Sequence, residues 1–286
     1  MLAHVNGIDL FFDIEGMGLK PSGAKMIAKP VAFVLHGGPG LDHSYFKPWM
    51  SPLADDFQLV YIDHRSTGRS ERTPLETCTI EQMADDIEAL RKLLGLGKIT
   101  IIGNSFGGFW GQVYALRYPE NLERLILITT SASNNFWESA TAELERRATP
   151  EQKAVGPTLF EGKVTTEADF AAWWDVMLPL YFHTWDDEIG GEMVKRGVDD
   201  PHVAAYMFEH IIPSYDVSAG LPSVTVPTLV CSGRHDWVTP VVACERVAEL
   251  IPNAELVMFE KSAHFPFIEE QDKFVDVVRD FLNRTS

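Results

Sequence analysis

Basic side chains, cysteine and long apolar runs are scarce in this 286-residue chain. Lys and Arg number 24 against 41 Asp and Glu, a net charge of −17. Such a surface repels polyanions, so nucleic acid is not an expected partner. Only three cysteines occur, Cys78, Cys231 and Cys244. They are widely spaced and odd in number, which argues against a disulfide framework or a zinc site. Cys231 lies in an apolar run and reads as a small buried hydrophobe. No window approaches the roughly 20 apolar residues of a membrane helix, so no membrane partner is expected. Met1–Gly7 has neither a basic segment nor an apolar one of the kind that opens a signal peptide. Together these absences point to a cytoplasmic protein.

What is present is an ordinary globular composition, 45% hydrophobic and 23% charged, in a chain long enough for one large core carrying an insertion. Asn6-Gly7 sits between Val5 and Ile8–Phe12, which predicts an antiparallel hairpin. A polar loop rich in Gly and Pro is expected over residues 16–30. Apolar strand runs follow at Val31–Leu35, Gln58–Ile62, Ile99–Gly103, Arg124–Thr129, Thr228–Cys231 and Glu255–Phe259. Helical patterns fall between them at Ile80–Leu94, Phe106–Tyr118, Val241–Leu250 and Asp272–Asn283. This alternation predicts an α/β fold with a mainly parallel sheet.

The alternation stops over residues 133–222. Helices are expected there around Trp137–Ala148, Glu167–Leu178, Asp187–Val198 and Pro201–Ile211. The segment holds four of the seven tryptophans, Trp137, Trp173, Trp174 and Trp185. Residues 133–224 carry 16 acidic and 6 basic side chains, so more than half of the net negative charge lies there. The expected organisation is a core of residues 1–132 and 223–286 with a helical cap, or lid, of residues 133–222. Its acidity reads first as a solvated surface, and second as a field favouring cationic substrates.

The chemistry is carried by Gly103-Asn104-Ser105-Phe106-Gly107. A strand ending in G-x-S-x-G and opening at once into a helix is a nucleophile elbow. A serine there needs a base, and the base needs an acid to fix its tautomer. In this arrangement the chain order is serine, acid, histidine. Asp236, in the loop after Thr228–Cys231, and His264, in the loop after the last strand, satisfy that order. Acyl transfer also needs two N–H donors for the oxyanion. Phe106 supplies one. The other falls in His36-Gly37-Gly38-Pro39-Gly40, with Gly38 the expected donor and Gly37 the fallback; Pro39 has no N–H.

These residues resemble an α/β-hydrolase along nearly the whole chain: His36–Gly40, Asp63-His64-Arg65-Ser66-Thr67-Gly68-Arg69-Ser70, the elbow, Gly233–Asp236 and Ser262-Ala263-His264 stand in the expected order. The H-G-G-P-G loop resembles that of proline iminopeptidases. Phe106 stands where those enzymes often have tryptophan, and Ser66 where they usually have glycine. The elbow also resembles that of carbon–carbon bond hydrolases. The resemblance implies a catalytic Ser105–Asp236–His264 set, no metal or organic cofactor, and a structural role for Asp63 and Arg65 in bracing their own loop. It further implies that cap carboxylates bind the substrate's free amine. Glu138, Glu143, Glu145, Asp186, Asp187, Glu188 and Glu209 are the candidates, with Glu138, Glu209, Trp137 and Trp185 taken as substrate-binding. The activity implied is release of N-terminal residues from small peptides or amides. The alternative is a carboxylesterase, lactonase, amidase or carbon–carbon hydrolase acting on a neutral small molecule.

Overall fold

The computed structural model describes residues 1–285. Strands β1 (Leu2–Val5) and β2 (Ile8–Glu15) form the opening hairpin, with Val5 opposite Ile8. Its two-residue turn has positive φ at both positions, 49° at Asn6 and 78° at Gly7, which matches the twist of the strands it joins. The segment after it is not irregular as expected. It folds into a second small hairpin of β3 (Leu19–Ser22) and β4 (Lys25–Ala28). Both strands are largely exposed. With no buried face, no alternation of apolar and polar residues marks them.

The remaining strands are β5 (Val31–Leu35), β6 (Gln58–Ile62), β7 (Ile99–Asn104), β8 (Leu122–Ile128), β9 (Thr228–Gly233) and β10 (Ala254–Phe259). The eight-stranded sheet runs β1-β2-β6-β5-β7-β8-β9-β10. Its first two pairings are antiparallel and the rest parallel. Strands buried on both faces need near-continuous apolar sequence, as Leu125–Ile128 has and as Ile99–Ile102 has apart from Thr100. Helices α1 (Ile80–Leu93) and α2 (Phe106–Arg117) pack on each other and on the sheet. All the parallel strands end on one edge, where the loops after β5, β7, β8, β9 and β10 meet, and ligands of open α/β sheets bind beyond that edge.

Between β8 and β9 the chain is helical: α3 (Trp137–Arg147), α4 (Pro150–Phe160), α5 (Glu167–Met177), α6 (Asp187–Val194) and α7 (Pro201–Tyr206), which continues as a π-helical turn to Ile211. Helix α4 was not anticipated, because Gly156 and Pro157 interrupt its helical pattern. A Thr149–Gln152 capping box with Pro150 in the first turn starts it nonetheless. Helix α6 stops at Val194, four residues short of the expected end. Helices α8 (Val241–Leu250), α9 (Pro266–Glu269) and α10 (Gln271–Arg284) complete the fold. Among the described residues no helix is long and apolar enough to cross a membrane.

Candidate active site

Ser105 stands between the end of β7 and the start of α2 at φ 55°, ψ −120°. A non-glycine residue held there carries strain of roughly 1–3 kcal/mol. Two features enforce it. The Ser105 N–H donates to the Ile128 carbonyl at 2.8 Å, and the Ser105 carbonyl accepts from Thr130 Oγ1 at 2.8 Å. The elbow also closes so tightly that a Cβ on Gly103 would lie 2.5 Å from the Gly107 carbonyl oxygen, and one on Gly107 would overlap the Leu35 carbonyl.

His264 and Asp236 come from separate loops and meet in a buried pair, His264 Nδ1 lying 2.8 Å from Asp236 Oδ2. The carboxylate is held on every side. Oδ1 accepts from the Val238 and Thr239 N–H groups at 2.8 and 3.2 Å, and Oδ2 accepts from Thr239 Oγ1 at 2.8 Å. An ionised carboxylate only accepts, so it fixes the His264 proton on Nδ1 and leaves Nε2 bare. The His264 and Ser105 side chains border the same chamber.

Gly38 and Phe106 border it too. Gly38 sits at φ 117°, in the left-handed region that favours glycine. The Phe106 N–H opens α2 and has no partner within the helix. Gly37 differs: its N–H donates to the Tyr45 hydroxyl at 2.7 Å and is thereby occupied.

The chamber has a volume of about 640 Å³, part of it open to solvent, beneath the helices that follow β8. Its walls include Phe109, Phe136, Trp137, Phe160, Trp174 and Phe208. No Asp, Glu, Lys or Arg is among its lining residues. Of the residues expected to bind substrate, Trp137 lines it, whereas Glu138, Trp185 and Glu209 do not. The reason is helical geometry: Trp137 and Phe208 turn inward, so Glu138 and Glu209, one residue on, turn outward and are exposed. Trp185 instead donates to Asp187 at 2.6 Å. Glu143 and Glu145 pair with Arg146 and Lys153, and Asp186 caps α6. Glu188 is exposed.

Beneath the His36–Gly40 loop lies a cluster of buried polar groups. His36 donates from Nδ1 to the Gly37 carbonyl at 2.7 Å and stacks on His64 at 3.7 Å between ring centres. Burial holds both imidazoles below the ordinary histidine range, and for His64 the neighbouring His36 and Arg65 charges add to this. Burial pushes the Asp63 carboxyl up, but hydrogen bonds and charge from His43 outweigh it and bring it down to about 2. Asp63 therefore ties the loop after β5 to the loop after β6. Arg65 does not brace its own loop. It forms a buried two-point pair with Asp86 of α1 at 2.7 and 2.8 Å. Among the described residues no group of three or more His, Cys, Asp and Glu side chains is arranged to hold a metal ion.

The profile of the alpha/beta hydrolase fold matches residues 30–152 and 152–271. The chain belongs to the alpha/beta-hydrolase family. It is similar to proline iminopeptidase PfmaB of Pestalotiopsis fici, 31% identical over 288 residues covering 98% of each chain. It is also similar to a putative carbamate hydrolase, RutD, of Rhizobium rhizogenes, 30% identical over 88% of this chain and 93% of that one. Among solved structures, the enol-lactonase of Burkholderia xenovorans superposes with a TM-score of 0.70 at 26% identity, covering 99% of this chain and 100% of the other. The resemblance to proline iminopeptidases read from the motifs thus extends along the chain, and this alpha/beta hydrolase has relatives named for several reactions.

Sequence reasoning missed Tyr45, which lies in a short 3-10 turn, His43–Phe46, with no motif around it. It also missed Asp199. That carboxyl borders a second, smaller hollow that shares Leu41, Tyr45, Trp174 and Phe265 with the chamber.

Proposed function

We propose that this hydrolase forms an acyl-enzyme on Ser105 and takes neutral, largely apolar esters, lactones or amides. His264 Nε2 accepts the Ser105 proton as Oγ attacks the substrate carbonyl, and Asp236 stabilises the imidazolium. The N–H groups of Gly38 and Phe106 receive the oxyanion. His264 then returns the proton to the leaving group, and water, activated by the same histidine, releases the acid. Residues 133–222 serve as the cap that encloses the substrate.

The observation that carries the substrate class is the lining of the chamber, mostly aromatic and aliphatic around Ser105 and His264, with no carboxylate. A free ammonium placed there would be desolvated without a counter-charge, a penalty of several kcal/mol. The test is a panel of free and N-acylated aminoacyl arylamides beside short-acyl p-nitrophenyl esters. The expected result is turnover of the esters, with blocked arylamides cleaved at least as well as free ones. A strong preference for the unblocked amine would overturn this substrate class.

A second reading, removal of N-terminal residues, is favoured by the iminopeptidase relative and by Asp199. The apolar walls around its carboxyl, with a smaller push from the Asp42 charge, raise it to about 7, although the residue as a whole is exposed. An ammonium reaching the second hollow would meet this group. On that reading Asp199→Asn abolishes cleavage of free aminoacyl arylamides and spares simple esters.

A further inference from the structure

The two loops that flank Ser105 are joined by a continuous line of buried hydrogen bonds. The Gly37 N–H donates to the Tyr45 hydroxyl at 2.7 Å, and Tyr45 donates to Asn104 Oδ1 at 2.7 Å. Asn104 Nδ2 donates to Thr129 Oγ1 at 2.8 Å, and Thr129 donates to the His264 carbonyl at 2.9 Å. Only one direction of donation is possible. The line begins at an amide N–H and ends at a carbonyl, and each hydroxyl between them has a single proton to give. The orientation of Asn104 is fixed as well, because its nitrogen also faces the Ile128 carbonyl at 3.3 Å. Tyr45, Asn104 and Thr129 are all buried. Bonds aligned head to tail in such surroundings strengthen one another.

A second observation is independent of these distances. Thr129 has φ 45°, in the left-handed region that a β-branched residue strongly disfavours. Such a residue persists there only when its surroundings over-determine it, and outliers of this kind cluster at functional sites. In this conformation Thr129 Oγ1 lies between the residue that precedes the nucleophile and the backbone of the histidine.

We propose that Tyr45, Asn104 and Thr129 are positioning residues that set the oxyanion loop and the histidine in register with Ser105. This rests on the acyl-enzyme reading. By occupying the Gly37 N–H, Tyr45 leaves Gly38 as the loop amide free to meet an oxyanion. Thr129 holds the His264 carbonyl while the Tyr181 carbonyl holds the His264 N–H at 2.9 Å. The imidazole is thereby fixed from both sides of its own backbone.

The test compares Thr129→Val, Thr129→Ser and Tyr45→Phe on p-nitrophenyl butyrate, with Ser105→Ala as control. Thr129→Val keeps the shape and loses the hydroxyl; Thr129→Ser keeps the hydroxyl and loses a methyl group. The expected kcat falls roughly tenfold for Thr129→Val and for Tyr45→Phe, with KM within about twofold, and stays within about threefold of wild type for Thr129→Ser. A role in packing alone predicts the opposite order, with valine tolerated better than serine, and that order would overturn the proposal. If Thr129→Val does not fold, Tyr45→Phe decides: wild-type kcat overturns the proposal and a reduced kcat at unchanged KM supports it. Activity that survives in Ser105→Ala would instead refute the acyl-enzyme reading itself.

Discussion

Asp236→Asn isolates the one proton on which the proposed mechanism depends. The substituted side chain has nearly the same shape, and its orientation is dictated in advance. Its oxygen must take the Oδ1 place, because the Val238 and Thr239 N–H groups point there. Turning the amide over would set an NH2 group against two donors. The amide nitrogen therefore occupies the Oδ2 place, 2.8 Å from His264 Nδ1 and 2.8 Å from Thr239 Oγ1. The threonine hydroxyl can rotate to accept, but an imidazole N–H cannot. His264 must bare Nδ1 and move its proton to Nε2, the atom that should receive the proton of Ser105. The expected loss is about 10⁴ in kcat, equivalent to about 5.5 kcal/mol, with a fold that remains intact. Steady-state hydrolysis of p-nitrophenyl butyrate at pH 7.5 measures the first part and thermal unfolding the second. A loss of less than about tenfold in correctly folded protein would refute the assignment of Asp236 and His264.

Acid should weaken the fold from the histidine range downward. His36 and His64 are held below the ordinary value in the folded state, so the unfolded chain binds more protons as pH falls below about 6.5. Their stabilisation is present above that pH and shrinks by about 1.4 kcal/mol per unit for each histidine below it. Asp199, raised to about 7, works the other way over the same range and offsets about one of the two histidines. Urea unfolding at pH 7.5, 6.5 and 5.5 should therefore show a net decline, steeper in Asp199→Asn; a flat profile in Asp199→Asn would contradict it. Asp63 acts lower: depressed to about 2, it stabilises the fold above the ordinary aspartate range and that contribution vanishes as pH drops toward 2. Arg65→Ala strands the buried Asp86 carboxylate, which retains only its bonds from Asn6 and Gln82; about 3 kcal/mol of stability should be lost in chemical denaturation. Gly107→Ala drives a methyl group into the Leu35 carbonyl, backbone that cannot step aside, so soluble yield and activity should both collapse, whereas Gly23→Ala at an open hairpin tip should leave activity intact.

The parts of the fold that were legible are those where burial imposes a period. Strands β5 and β6 lie where their apolar runs lie, at Val31–Leu35 and Gln58–Ile62, because a strand buried on both faces has no choice of residue. The β3–β4 hairpin buries nothing and so wrote nothing into its sequence. Helix α4 was hidden by Pro157, which usually ends a helix; here the segment keeps its capping box and packs through Leu159. Ser105, Asp236 and His264 were legible as strand-end residues because topology alone brings strand ends together. Tyr45 and Thr129 were not. What distinguishes them is a hydroxyl direction and a positive φ, neither of which leaves a mark on composition or spacing.

The acidic segment between β8 and β9, expected first to be a solvated surface, shows how the same residues say which face carries the charge. A count of charges says nothing about which face carries them, but the helical period does. In α3 the inward positions are Trp137, Ala140 and Leu144, spaced by three and four. Glu138 and Glu145 are seven apart on the outer face, and both are exposed. The same rule separates Phe208 from Glu209. The negative charge therefore belongs to solvent, and Trp137, Phe160, Trp174 and Phe208 belong to the chamber. A field spread over exposed carboxylates is screened within about 8 Å at physiological salt and cannot stand in for a counter-ion beside the reacting carbonyl. That difference favours a neutral substrate over an ammonium in the chamber. Of the two carboxyls that border the adjoining hollow, Asp42 is paired with Arg69, so the proposed second reading rests on Asp199.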